Sequence, residues 1–574
     1  MKFTSGPSNG GQPNPNSGGF RVSYSLSSNL KPKRDAQADA RRLRAVGEAA
    51  QTGDMERAIT LAEAALADGQ EHPMLLSLSA LRLERENRLP EALIRLHRAR
   101  QIAPNDIGAL NALGLCLHRL ERPGEALEVF DALIGVNPNL PFAHANRGMA
   151  LQAAGRLDRA EDAFRRALSL APGHPIALGG LAAIASRKGA HAQARDLAEQ
   201  VLKIEPNLPD PTMSLARAEV ALGDPAGAER RLRALRADPR LTPVEQADAW
   251  NLLGDILDAR GDAAAAFEAY RTCNELLRGA YAERFSTHLS ATDFARGMAQ
   301  WFATADAVAW KRPPATDANP YGPKSHVFLI GFPRSGTTLL EVALAGSPEV
   351  VTLEEQEALA DGVRRFLREP SDLAALAKAS EAELDGLRAA YWKEVRAAGC
   401  EPAGKVFIDR YPLNTLKLPL IARLFPEAKI LFAVRDPRDV VWSCYRRRFQ
   451  MSSPMYQFLT LEGAAAFYDA TFDMKAQLDA VLNLDQHVIR HEDLLADFEG
   501  QMRAICGFIG VDWREAMRDV AARTADRAIA TPSTAQLARG LNSDGAGAWR
   551  RHAGPMAPAL PILAPWVQRL GYEA

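Results

Sequence analysis

Cysteine is scarce and scattered in this 574-residue chain. The five residues, Cys116, Cys273, Cys400, Cys444 and Cys506, lie far apart and form no CxxC pair. An odd count without close pairs argues against a disulfide framework or a structural zinc site and fits a reducing compartment. The 11 histidines show no metal-ligand spacing, so no metal is expected. Neither sign of charge is in excess, with 69 Lys plus Arg against 70 Asp plus Glu. That balance argues against a nucleic-acid coat or a polybasic membrane binder, and any basic site must be local. No apolar run reaches the ~18–20 residues that a bilayer span requires. The opening, MKFTSGPSNGGQPNPNSGGF, lacks the apolar centre of a secretory signal. The expected setting is cytoplasmic, with no nucleic-acid partner and no membrane span.

Apolar residues are 47% and charged residues 24%, which is globular composition, and the length suits a repeat array plus an enzyme-sized domain. Residues 1–34 are rich in Gly, Ser, Pro and Asn without periodicity, so a disordered tail is expected there. A repeat follows. Pro104, Pro138, Pro172 and Pro206 are spaced by 34 residues, and Gly114, Gly148, Ala182 and Ala216 keep that step. So do Ala58, Ala92, Ala126, Ala160, Ala194 and Ala228, with Phe130 and Phe164 four residues after two of them. A helix pair explains each position. Small residues let two helices approach, the aromatic fills the groove between neighbouring pairs, and proline ends the second helix. A further copy, offset by a four-residue insertion, carries Gly254, Ala266 and Tyr270.

Period and residue types resemble the tetratricopeptide repeat. The resemblance implies a helical solenoid over residues 35–310, with a concave groove suited to a protein or peptide. Pro, Gly and Asn then crowd residues 311–325, KRPPATDANPYGPKS, which reads as a linker. Beyond it, HVFLIG, KVFID, KILFAVRD and QHVIRHEDL alternate with helical segments. That is the grammar of parallel strands with crossover helices.

The first of those strands runs into Gly331-Phe332-Pro333-Arg334-Ser335-Gly336-Thr337-Thr338 and then an apolar helix. Strand, glycine-bounded loop and helix form the setting in which backbone N–H groups and the helix dipole bind an oxyanion. The spacing is that of the Walker A loop, G-x-x-x-x-G-K-[ST], but Thr337 stands where its Lys would be. Arg334 supplies a cation from inside the loop instead. Without that Lys a nucleoside triphosphatase is disfavoured, and a donor with a less charged transferable group, such as a sulfuryl, suits the loop better. A second constellation, ILFAVRDPRDVVWSCYRR, ends a strand at Arg435. It starts a helix with Asp436 as N-cap and Pro437 in the first turn. Ser443 and Arg447 are four residues apart on one helix face, and with Arg435 they can converge on a phosphate.

Together, PRSGTT and VRDPRDVVWS resemble the sulfotransferase family that uses 3′-phosphoadenosine 5′-phosphosulfate (PAPS), over residues 326–574. The fold class this implies is α + α/β: a tetratricopeptide solenoid followed by a P-loop-like α/β sulfotransferase domain with a parallel sheet. The resemblance implies that Arg334, Ser335, Gly336, Thr337 and Thr338 hold the 5′-phosphosulfate, and that Arg435, Ser443 and Arg447 hold the 3′-phosphate. The loop Arg and the pair Glu354-Glu355 are closer to the protein-tyrosine sulfotransferase branch, which implies Glu355 as the catalytic base and Glu354 as its fallback. A plain acidic helix start is the structural alternative for that pair.

Three positions depart from the branch. Arg410 stands where a Lys assists the leaving group, and an Arg can stabilise charge there but cannot donate a proton. Gly547 stands where a Ser is expected, with its own N–H or Ser543 as substitutes. His491 replaces an aromatic Tyr, and either stacks on adenine or is structural. The rival to a PAPS-dependent sulfotransferase is a nucleotide-binding scaffold without turnover. Protein tyrosine fits as acceptor, and a glycan, lipid or small-molecule hydroxyl fits the domain equally.

Overall fold

The computed structural model describes residues 36–86, 88–206, 208–310, 322–526, 537, 540–543 and 545–573. The expected tail at 1–34 and most of the expected linker, 311–321, lie outside the described residues. The chain divides into two compact units, residues 1–116 and 117–574.

In the first unit, helices Ala36–Gln51, Met55–Ala67, Pro73–Arg85 and Leu89–Ile102 pair as successive hairpins. In the second, hairpins of the same kind run from Pro123–Val136 to Pro243–Ala259 and Ala263–Phe285. The 34-residue prolines act as read from the sequence. Pro138, Pro172 and Pro206 each lie two residues beyond the last helical residue, Val136, Leu170 and Ile204. A second proline register was not read from the sequence. Pro141, Pro175, Pro209 and Pro243 open the first helix of each hairpin, where the missing N–H costs nothing. Phe164 shows why the small residues recur. A Cβ on Gly148 would sit 2.6 Å from its ring, and one on Gly180, in the next hairpin, 2.3 Å from it. Tyr270 repeats this against Gly254 at 2.6 Å.

Five parallel strands form one sheet in the order β2-β3-β1-β4-β5: β1 Ser325–Gly331, β2 Val350–Glu354, β3 Val406–Arg410, β4 Lys429–Val434 and β5 Asp485–Arg490. β1, β3 and β4 are apolar on both faces, as a sheet covered on both sides requires. Phe328, Ile330, Phe407, Ile430 and Phe432 join one core, and Val327, Leu329, Ile408, Leu431 and Ala433 the other. The chain crosses from β3 to β4 over the carboxyl end of β1. Open α/β sheets bind ligands at such a reversal of strand order. β2 differs from the sequence alternative for the Glu354-Glu355 pair: the segment is an edge strand ending at Glu354, not a helix start.

The repeat hairpins do not stop short of the sheet. Helix Ala291–Phe302 packs on helix Leu461–Leu482, and Ala295, Met298, Phe302 and Trp310 enter the same core as Phe328 and Phe432. On helix Pro243–Ala259, Asp248, Asn251, Asp255 and Asp258 follow steps of three and four and share a face. That face grips three consecutive arginines. Arg448 Nε donates to Asp248 at 2.8 Å, Arg447 Nη1 to Asp255 at 3.2 Å and Arg446 Nη1 to Asp258 at 2.8 Å. Asn251 and Asn274 donate to the carbonyls of Arg446 and Tyr445 at 2.9 and 3.0 Å. Tyr270 meets Trp442 edge-on at 5.9 Å. A fragment beginning at residue 322 would therefore expose Trp442 and leave those arginines without their acids. It is expected to melt well below the full chain or to aggregate, whereas a fragment beginning at 242 is expected to stay soluble. Thermal denaturation of the two fragments checks this.

Candidate active site

The carboxyl ends of β1 and β4 open into a cleft enclosing about 920 Å³ of empty space, including space open to solvent. Arg334, Gly336, Thr337, Thr338, Glu355, Arg435 and His491 line it. Their common location follows from local backbone chemistry. A Cβ on Gly331 would lie 2.5 Å from the Ala433 carbonyl oxygen, so only glycine lets β1 turn out beside β4. Gly336 has φ 97° and caps helix Thr337–Leu344, aiming its free N–H groups into the cleft. A Cβ there would lie 2.5 Å from His491 Nδ1. Among the described residues four non-glycines have positive φ, and two of them, Arg334 (75°) and Glu355 (42°), line this cleft. Left-handed backbone at such residues persists only where the surroundings enforce it.

Cations crowd the inner end. Arg334 Nε donates to Ser443 Oγ at 2.9 Å, and Arg435 Nη1 donates to the Arg334 carbonyl at 3.4 Å. Burial, with Arg447 and Arg435 nearby, pushes the Arg334 guanidinium down to about 9. A cluster that disfavours its own charge is one that an anion would relieve. His491 is pushed down to about 3 by burial and by Arg435 and Arg334, so it is neutral at physiological pH. Three buried polar atoms here, Ser335 Oγ, Arg435 Nε and His491 Nδ1, have no hydrogen-bond partner among the described residues. Buried polar groups are rarely left so, and donors grouped around an anion cradle fit a phosphate or sulfate ester.

The arginine motif does more than bind. Asp436 caps helix Pro437–Arg446 by accepting from the Arg438 N–H at 2.9 Å, as read from the sequence. Asp439 accepts from the backbone N–H of Gly547 at 2.7 Å and of Trp549 at 3.1 Å, and Arg435 Nη2 donates to the Gly545 carbonyl. The motif thus pins the C-terminal segment over the cleft, where Gly540, Leu541 and Asn542 form part of the wall. The Gly547 N–H, offered above as a substitute donor, is spent on Asp439, and Ser543 is exposed outside the lining.

Of the expected site residues, Ser335 and Ser443 adjoin the lining without being part of it, Ser443 by holding Arg334, and two others lie elsewhere. Arg447 follows the last helical residue in extended conformation, so it does not share a helix face with Ser443. It pairs with Asp255 and is not part of the cleft lining. Arg410 is fully buried behind the cleft. It pairs with Glu354 at 2.7 Å, with Glu341 at 3.2 Å and with Glu355 through Nη1. Burial alone would lower Arg410, but Glu341, Glu355 and Glu354 outweigh it and raise it. Such a guanidinium is committed to carboxylates and is not part of the cleft lining. Glu341 was not read from the sequence. It lies inside the apolar run LLEVALAG, and a buried Glu in such a run is itself a signal of a buried cation.

Tyr411, Leu413, Phe449 and Met455 add apolar surface to the cleft lining. Phe449 and Met455 follow the arginines that the repeat hairpin grips. An anion cradle, one accessible carboxylate and an apolar wall suit transfer of an anionic group to a hydroxyl on an apolar or aromatic acceptor.

Residues 326–515 match the sulfotransferase family model. Residues 141–206 and 213–272 match tetratricopeptide-repeat models, and 40–139 match the N-terminal tetratricopeptide-repeat region of Psidin. An uncharacterised protein of Aquifex aeolicus is 22% identical over 453 residues, 74% of this chain and 54% of that protein. The chain thus spans about half the length of that relative. Protein-tyrosine sulfotransferase 2 of Gallus gallus is 25% identical over 276 residues, 43% of this chain and 69% of that protein. Protein-tyrosine sulfotransferase 1 of Danio rerio is 25% identical over 264 residues, 43% of this chain and 72% of that protein. A solved tetratricopeptide repeat protein from Parabacteroides merdae covers 42% of this chain and 93% of its own, at 19% identity and TM-score 0.34.

Proposed function

We propose, for a chain that carries a sulfotransferase-family domain behind tetratricopeptide repeats, that it moves a sulfuryl group from PAPS to an acceptor hydroxyl in the cytoplasm. The observation that carries the reading is the set of buried polar atoms without partners, Ser335 Oγ, Arg435 Nε and His491 Nδ1, around the Gly336 helix start. PAPS supplies the sulfuryl group and a bisphosphate leaving group. The N–H groups of residues 336–338, with Arg334, hold the phosphosulfate end. Arg435 and Ser443 hold the 3′-phosphate. Glu355 takes the proton of the acceptor hydroxyl as the S–O bond forms. Arg334 and the loop N–H groups stabilise charge on the departing oxygen, preorganised before the reaction. Arg410 orients Glu355 and does not act at the leaving group.

Tyrosine is the acceptor we favour, because Tyr411, Phe449 and Met455 offer a phenol an apolar wall near Glu355. The repeats would present a protein partner or substrate. One observation favours a second reading, a nucleotide-binding scaffold without turnover. Two positions where the chain departs from the branch are otherwise engaged, Arg410 by carboxylates and the Gly547 N–H by Asp439.

Calorimetric titration of adenosine 3′,5′-bisphosphate tests the site. Wild type is expected to bind without added metal, and Arg435→Ala to bind about 10- to 100-fold more weakly, the loss of a charge-assisted contact. No binding to wild type would refute both readings. Binding without sulfation of any tyrosyl peptide or other hydroxyl would leave the scaffold.

A further inference from the structure

Arg410 is held by more acid than its charge requires. Its guanidinium is fully buried and meets Glu341, Glu354 and Glu355. Glu341 is buried as deeply, with its side chain 1% exposed, and its other oxygen, Oε1, accepts from Thr352 Oγ1 at 2.7 Å. Glu355 is the most exposed of the three carboxylates, at 42%, and of the three it alone lines the cleft. The contacts run in the order Thr352, Glu341, Arg410, Glu355, with the two fully buried members in the middle. Two backbone restraints support it. Glu354 pairs with Arg410 in the β2–β3 register, and the Glu355 N–H donates to the Arg410 carbonyl at 2.9 Å.

We infer that Glu341 is a positioning residue for the base: it fixes the Arg410 guanidinium, and Arg410 in turn fixes the Glu355 carboxylate at the cleft. The inference rests on the sulfotransferase reading above. Its chemistry is geometric and electrostatic. A guanidinium is a planar fork with five donors. Pinning one of its edges from behind leaves Nη1 with a single direction, toward Glu355. The other groups close to this set are Glu354, whose carboxyl is pushed up by burial, and Tyr411, Glu357 and Lys417. Lys417 is turned to Glu357 and leaves Glu355 to Arg410.

The test is Glu341→Gln in the full chain, with Thr352→Val as a milder variant should the first fold poorly. Glutamine keeps the shape and one acceptor and removes the charge. The expected result is kcat lower by roughly 10- to 100-fold, the size of effect that a small misplacement of a reacting group produces. Affinity for adenosine 3′,5′-bisphosphate and KM for the acceptor stay unchanged, so the loss falls on kcat alone. Thr352→Val moves kcat the same way by less. A merely structural Glu341 would lower the amount of folded enzyme and leave kcat per folded enzyme in place. Wild-type turnover with unchanged kcat in Glu341→Gln overturns this inference alone. Bisphosphate binding without any wild-type turnover overturns the parent reading and this inference with it.

Discussion

Replacing Glu355 by Gln is expected to cut turnover by about 10²- to 10⁴-fold, the range for loss of a general base. Binding of adenosine 3′,5′-bisphosphate is expected to be retained. Glutamine can still accept from Arg410 through its carbonyl oxygen but cannot take the acceptor's proton. Glu354→Gln gives the contrast. Glu354 ends β2, pairs with Arg410 and is not part of the cleft lining. Burial pushes its carboxyl up despite the Arg410 charge, with Glu341 and Glu355 adding to the rise. Glu354 shares Arg410 Nη2 with Glu341 but does not face the cleft, so Glu354→Gln should cost about 10-fold at most, a positioning loss far below that of Glu355→Gln. A steady-state comparison of the two variants on one acceptor, with donor-site titration of each, decides the assignment. Equal losses in both would make Glu355 no more special than its neighbour. A large loss only in Glu354→Gln would move the base to the fallback residue.

The sequence revealed the donor site better than the machinery behind it, and the reason is chain locality. The Gly331–Thr338 loop and the Asp436 cap are built from consecutive residues, so the rules for helix starts and glycine turns reach them. The 34-residue register is local too, and it anticipated the packing of Phe164 between Gly148 and Gly180. Arg410 was legible as a cation near the cleft, but its direction was not. What decides it is Glu341, 69 residues away in sequence and brought beside it by the pairing of β3 with β1. Arg447 misled for a similar reason. Its spacing from Ser443 assumed one more helical residue than forms, because Asp255 of the repeat hairpin draws it outward. Nothing in either segment alone announces that pairing. The sequence boundary at 311–325 also suggested two separable parts, whereas aromatic residues and arginines after β4 pack directly on the last repeat hairpin.

Removing Arg334 is expected to separate stability from function. In the wild type the residue pays for its place, because its guanidinium is buried with Arg447 and Arg435 nearby. Without an anion these charges repel each other in a poorly solvated space. Arg334→Ala should therefore leave the unliganded melting temperature unchanged or raise it slightly, in contrast to most substitutions of half-buried residues. Function should move the other way. Loss of the loop cation is expected to lower kcat by about 10²- to 10³-fold, comparable to removing one preorganised donor from an oxyanion site. Ligand stabilisation gives the more direct readout. At a bisphosphate concentration of about 100 times Kd, the wild type gains roughly 2.7 kcal/mol, and the variant at the same concentration should gain little. Arg334→Lys restores the charge but not the fork that bonds Ser443 while facing the cleft, so it should recover only part of the shift. Differential scanning calorimetry of the three proteins, with and without ligand, separates the cases. A variant less stable than wild type when empty, yet with the full ligand shift, would mean that Arg334 braces the loop against Ser443 and does not bind the anion.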